Sequence, residues 1–206
     1  MTLIDLTRPA ASDAPVDALP VAIIGAGPIG LAAAANLVER DIPFELFEAG
    51  DRVAHSIHGW GHTRLFSPWR HLIDPASRRL LAATGWSAPD EDVLPTGSEL
   101  VDDYLTPLAA LPAITDRVRT GAEIIAVSRA GYDRTRTAGR ASSPFLLRVR
   151  ATDGTVTETR ARAVIDASGT YRTPNSLASS GLDPLGAEEV DDLIAQTLPD
   201  VLGTDR

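Results

Sequence analysis

Three glycines, Gly25, Gly27 and Gly30, stand in the spacing G-x-G-x-x-G. Four apolar residues, Val21 to Ile24, precede them directly, and an alanine-rich run that reads as a helix follows. The three positions make different demands. Gly25 turns the chain sharply off a strand, Gly27 leaves its backbone open to close approach, and Gly30 lets a helix pack on a sheet. The unpaired N–H groups of that helix's first turn, with the positive end of its dipole, form a seat for an anion. Pro28 suits the first helical position, where its missing N–H would have no partner anyway. Ala26 and Ile29 fill out the turn. A strand, a glycine turn and a helix start in this order are what a pyrophosphate requires, so residues 25–30 read as a dinucleotide site.

The next apolar run, Phe44 to Phe47, leads into Glu48, Ala49 and Gly50. Glu48 follows Gly30 by eighteen positions, close to the spacing of about 20 at which a carboxylate meets the ribose. A carboxylate there accepts from both ribose hydroxyls and repels a 2′-phosphate, which argues against NADP at this site. FAD and NAD both carry the free ribose, and Glu48 with its neighbours Phe47 and Ala49 does not separate them. Glu45, in mid-strand, reads as a solvated or sheet-edge residue. A third segment, Ala161 to Thr170, is an apolar strand that ends in Asp166, Ala167, Ser168 and Gly169, with Pro174 soon after. Small residues there let the backbone cross close to a bound cofactor. An ordinary strand exit reads the same way when the segment is taken alone.

All four histidines fall between His55 and His71. On a helix His55, His58 and His62 would share a face and could bind a metal. Gly59 and Gly61 weaken a helix there, and no carboxylate is interleaved, so no metal site is expected.

These residues need elements to position them. Strands are expected near 21–24 and 44–48, and helices near 28–40, 75–84 and 98–110, the last with Ser98 as N-cap. Residues 118–128 read as extended and 130–143 as a loop. Phe145 to Arg150 alternates, and Asp153-Gly154 turns the chain into Thr155 to Arg160 as a hairpin. The chain has 206 residues and a net charge of −9, from 19 basic and 28 acidic residues. That charge excludes the basic face a nucleic-acid partner needs. Every basic residue is arginine, so lysine Schiff-base chemistry is excluded. There is no cysteine, which removes disulfides, thiolate zinc sites and C-x-x-C redox chemistry. No apolar run is long enough to span a bilayer, and the first residues lack a signal peptide's pattern. A cytoplasmic protein is expected, with a mobile leader over 1–19, one nucleotide-binding domain over 20–175 and an acidic tail over 176–206. In the tail, the cluster Glu188, Glu189, Asp191 and Asp192 reads as a solvated helix face.

The segments Gly25–Gly30, Glu48 and Asp166–Thr170 with Pro174 together resemble the two-dinucleotide-binding-fold flavoproteins. That superfamily includes flavin-containing and Baeyer–Villiger monooxygenases and thioredoxin-reductase-like enzymes. Asp166-Ala-Ser-Gly-Thr170 is similar to its "ATG" segment, with Ser168 where threonine is usual. The resemblance spans about Val21 to Pro174. It implies an α/β fold, a Rossmann-type FAD/NAD(P)-binding domain with a parallel sheet and a β-meander crossover. It also implies FAD at the first site, with the backbone near Ile124 beside the adenine. Disulfide reductases of the superfamily need a cysteine pair, so the absence of cysteine sets that branch aside. The family places the stretch after the ribose carboxylate beside the isoalloxazine, so Trp60, His62 and Arg64 are expected to approach flavin or substrate. A packed loop with a stacked Arg–Trp pair is the other reading. Gly59-Trp60-Gly61 departs from the Gly-Gly-x-Trp common in monooxygenases. Neither the family's second glycine motif, for NADPH, nor its later Gly-Asp strand occurs before Arg206, so the fold is expected to be incomplete. A missing C-terminal domain or a partner chain would then bring the nicotinamide to a small-molecule substrate. The expected function is the FAD-holding part of an NADPH-dependent flavin monooxygenase, with no catalytic acid, base or nucleophile to name. An NAD-dependent dehydrogenase and a non-catalytic nucleotide-binding subunit are the alternatives.

Overall fold

The computed structural model describes residues 15–195 and 198–203. Most of the expected leader, residues 1–14, lies outside the described residues. Its last part belongs to the fold: Val16–Ala18 forms a short 3-10 turn and Leu19 is buried.

A four-stranded parallel sheet lies at the centre. It is built from β1 (Val21–Ile24), β2 (Phe44–Phe47), β3 (Val118–Arg119) and β7 (Ala163–Asp166), in the order β3-β2-β1-β7. A separate antiparallel meander is formed by β4 (Ala122–Arg129), β5 (Phe145–Ala151) and β6 (Val156–Ala161). The run 118–128, read as one extended stretch, is two strands because Gly121 breaks it at φ +61°. The hairpin turn falls at Asp153-Gly154 as expected, with Gly154 at φ +85°. Strand periodicity divides the core in two. Val21, Ile23, Phe44 and Leu46 face the helices, while Ala22 and Phe47 pack on Leu147 and Ala161 of the meander.

Helix α1 (Pro28–Val38) starts at its N-cap Gly27 and buries Leu31, Ala34 and Ala35 against the sheet. It stops two residues short of the expected end, where Asp41 takes a left-handed φ of 52°. After β2 comes a single turn, α2 (His55–His58), ended by Gly59. Helix α3 (Pro75–Ala82) is capped by Asp74, whose carboxylate accepts from Ser77 N at 2.9 Å. Asp74 also takes the Asn36 amide, and Arg79 forks onto Glu39 at 2.7 and 2.8 Å, so α3 is pinned to α1.

The helix expected over 98–110 is α4 (Gly97–Leu100), a π-turn (Val101–Leu105) and α5 (Thr106–Ala109) in continuous sequence. Its cap is Thr96, not Ser98. Thr96 Oγ1 accepts from Glu99 N, and Glu99 accepts from Thr96 N at 2.6 Å, a reciprocal box that Ser98 has no partner to make. The π-turn precedes Pro107, which has no N–H for the Asp103 carbonyl four residues back. The Trp86 indole donates to that carbonyl at 2.9 Å. A last short helix, α6 (Pro112–Thr115), leads into β3. The acidic cluster of the tail lies in a 3-10 segment, Ala187–Leu193, kinked at Val190, and its carboxylates are exposed.

Candidate functional site

The carboxyl ends of β1, β2 and β7 point to one edge of the sheet, where open parallel sheets bind their ligands. Ile24 pairs in register with Phe47 on one side and Asp166 on the other. The three segments of the motif reading therefore leave the sheet side by side. They surround a cavity of about 370 Å³, within the 300–1,000 Å³ usual for small-molecule sites.

The glycines divide their roles. Gly25 has φ +95°, and a Cβ there would meet Ala167 O at 2.7 Å. A Cβ on Gly30 would lie 1.8 Å from Gly25 O. Gly25 and Gly30 are thus fixed by backbone contact. Gly27 differs: its Cβ would meet nothing within 4 Å and would point into open space. The Ala167–Ser168 backbone crosses directly over Gly25, and Ala167 N donates to Ile24 O at 2.8 Å. Ser168 turns its hydroxyl back to Asp166, at 2.7 Å, and its N–H donates to the same oxygen. These two bonds hold the Asp166 carboxyl below the ordinary aspartate range.

Glu48 is only 9% exposed. One carboxylate oxygen accepts from Ala26 N at 2.9 Å and the other from Gly50 N at 2.8 Å. The side chain therefore ties the glycine turn to the end of β2 while it lines the cavity. Each oxygen keeps lone-pair capacity for a further donor.

Of the residues expected to hold a cofactor, Gly25, Gly27, Pro28, Ile29, Phe47, Glu48, Ala49, Trp60, Ile124, Ala167, Ser168 and Gly169 line the cavity. Ala26, Gly30 and Arg64 do not. Ala26 and Gly30 sit behind the turn, Ala26 fully buried and bound to Glu48 through its N–H. Arg64 has partners of its own. Its backbone bridges to Thr96, its guanidinium donates to the Leu94 carbonyl, and Glu99 lies 4.0 Å away. The capping box of α4 supplies that carboxylate. His62 is exposed and also stands apart. Trp60 stays at the cavity because its ring packs on Gly97. No stacked Arg–Trp pair forms among the described residues; the rings under arginines are Phe44, Phe145 and Tyr132.

The one-turn α2 ends before His62 and disperses the histidines, and His55 instead contacts Asp51 at 3.0 Å. Among the described residues no group of three metal-ligating side chains forms. No described helix is long and apolar enough to cross a membrane.

The cavity also has walls that motif reading missed. His55, Ser56 and Ile57 come from α2, Ala122 and Glu123 from β4, and Tyr171 and Arg172 from the loop after β7. Glu123 accepts a fork from Arg150 at 3.0 and 2.7 Å and a bond from Arg172 at 3.2 Å. Arg150, foremost, holds the Glu123 carboxyl below the ordinary glutamate range. A sequence signal existed only for β4, since residue 122 follows the Gly121 turn directly.

A family model described as an NAD(P)-binding Rossmann-like domain matches residues 23–81. No curated protein matches the sequence. Bacillithiol disulfide reductase Bdr (YpdA) from Bacillus cereus superposes with a TM-score of 0.59 at 22% identity, over 77% of this chain and 42% of that one. An oxidized steroid monooxygenase bound to NADP gives 0.55 at 19%, over 73% and 26%. OTEMO in complex with FAD and NADP gives 0.53 at 18%, over 80% and 27%. The chain is thus similar in fold to both oxygenases and a disulfide reductase, so the absence of cysteine does not set the reductase branch apart at the level of fold. It spans between 26% and 42% of these neighbours' lengths. The fold is a Rossmann-type nucleotide-binding fold shared with these neighbours.

Proposed function

We propose that the cavity binds FAD and that this chain is the FAD-holding part of an NADPH-dependent flavin oxidoreductase, with monooxygenation as its chemistry. The observation that carries the reading is the space in front of Gly27. The glycine turn is closed by backbone on two sides, at Gly25 and Gly30, and open only where a pyrophosphate would lie. Among the described residues no atom beyond its chain neighbours comes within 4 Å of where a Cβ on Gly27 would stand. The first-turn amides of α1 face it without intrahelical partners.

Each residue then has a physical task. The α1 N-terminus orients the diphosphate. Glu48, itself held by two amides, presents its remaining lone pairs to the ribose hydroxyls and opposes a 2′-phosphate. Phe47, Ile124 and the Ala167–Gly169 backbone exclude water from the ligand's flanks. FAD, when bound, supplies the redox chemistry, and the protein orients it. The oxygenases among the structural neighbours support the monooxygenase assignment. In this reading the nicotinamide comes from a further domain or a partner chain, and the substrate is a small molecule.

One experiment tests the reading. The purified chain is mixed with FAD, freed of excess and scanned for flavin absorbance, with NADH binding followed in parallel. Retained flavin is expected, together with negligible NADPH oxidation until a separately expressed nicotinamide-binding domain is added. A colourless chain that binds NADH would replace this reading with that of an NAD-dependent protein. Robust NADPH consumption by the chain alone would refute its assignment as a part.

A further inference from the structure

We infer that Arg172 is a ligand for the ADP half of the bound nucleotide; the inference rests on the cavity being a nucleotide site. The loop after β7 carries Tyr171 and Arg172 across the cavity mouth. The Tyr171 hydroxyl lies where a Cβ on Gly59 would meet it at 2.3 Å, so the loop is propped against the end of α2. Arg172 lines the main cavity and a second one of about 240 Å³, and both cavities also touch Glu48. Arg172 therefore borders two spaces that both reach the carboxylate assigned to the adenosine ribose.

The charge balance points the same way. Arg172 is the only arginine among the cavity's lining residues, which include two carboxylates, Glu48 and Glu123. Among the described residues lining the cavity, a ligand with two phosphates meets no other arginine. Arg172 is also not consumed by its own contact. Arg150 already forks onto one oxygen of Glu123, and Arg172 touches the other through a single N–H at 3.2 Å. Glu123 holds one N–H of the guanidinium at the cavity wall, and arginine carries four further N–H donors. A guanidinium so placed offers a plane for a base and a charge-assisted fork for a phosphate. The base and the adenosine-side phosphate are the groups that FMN lacks, and they are the ones assigned to Arg172.

The test is the affinity of the 206-residue chain for ADP, FAD and FMN, by calorimetry, in wild type and in Arg172→Ala and Arg172→Gln. The residue is largely exposed, so both variants are expected to keep the wild-type circular dichroism. ADP and FAD should weaken by about tenfold, the loss typical of one hydrogen bond to a charged group, with FMN unchanged. ADP affinity unchanged in both variants overturns the inference, and so does an equal loss for FMN, which would place Arg172 at the flavin end. Wild-type chain that binds ADP but not FAD sinks the flavin reading alone and leaves Arg172 to be judged by ADP. Failure to bind ADP at all sinks both.

Discussion

Replacing each motif glycine by alanine should separate folding from binding, because the three sites meet different surroundings. At Gly30 the new methyl group would lie 1.8 Å from a backbone oxygen of Gly25. Neither partner is a flexible side chain, so the turn or α1 itself must move. Overpacking of this kind costs about 3 kcal/mol or more. For a chain of this size 1 kcal/mol lowers Tm by roughly 2–4 °C, so Gly30→Ala should lose roughly 6–12 °C. At Gly27 the methyl group enters open space, and φ is −83°, which any residue adopts. Alanine is a poorer N-cap than glycine by about 0.5–1 kcal/mol, and the loss of unfolded-chain freedom returns about 0.4–1 kcal/mol. Gly27→Ala should therefore melt within about 3 °C of wild type. Its methyl group stands where the ligand must pass, so FAD or ADP affinity should fall by at least about tenfold, equivalent to 1.4 kcal/mol. Thermal denaturation without ligand and calorimetry with ADP read the two effects separately. Wild-type affinity in Gly27→Ala, or a Tm loss matching that of Gly30→Ala, would refute the division of labour.

Glu48→Gln should destabilise the ligand-free chain by about 1–3 kcal/mol, because the new amide nitrogen cannot accept from the backbone N–H it faces; an unchanged ligand-free Tm would show that the two amide contacts are unimportant. Trp60 lines the cavity while Trp69 is buried apart from it and Trp86 bonds Asp103. FAD should therefore quench tryptophan fluorescence in wild type and much less in Trp60→Phe, and equal quenching in both would remove Trp60 from the site. Asp166 and Glu123 have carboxyls held below their ordinary ranges. Depressed values favour the folded state above the unfolded pKa of about 4, and that contribution is lost as pH falls through the lower folded values. Melting temperature should be level from neutrality to about pH 5 and fall below about pH 4, with a shallower acid slope in Asp166→Asn; an identical slope in the variant would contradict the assignment.

The readable parts of this chain are those whose causes are local. A glycine at 25, 27 or 30 is judged against residues a few positions away, and the Asp153-Gly154 turn needs only its own two strands. Thr96 was missed although its partner Glu99 is three residues on, because Ser98 stood nearer the apolar run and drew the cap assignment to itself. The partners of Arg64 are non-local: Leu94 and Glu99 are 30 or more positions away. The π-turn has the same origin, since Pro107 releases a carbonyl that only Trp86, from a different segment, can satisfy. Tyr171 and Arg172 reach the cavity through the register of β7 against β1, which no spacing rule contains.

Glu48 shows why spacing alone leaves the physics of a motif incomplete. Spacing alone gives the carboxylate one task, the ribose. The structure gives it a prior one, because both oxygens already hold backbone amides, one from the glycine turn and one from the exit of β2. A buried carboxylate without those donors would carry a large desolvation cost. With them it is held in one orientation before any ligand arrives. The loss of rotamer freedom has been met in folding, so ribose binding need not meet it again. The same logic applies to Glu123, which Arg150 fixes so that it can in turn hold Arg172 at the cavity mouth. The Glu48→Gln experiment separates these contributions: a drop in ligand-free Tm measures the brace, and any further loss of ADP affinity at a temperature well below that melting point measures the ribose contact alone.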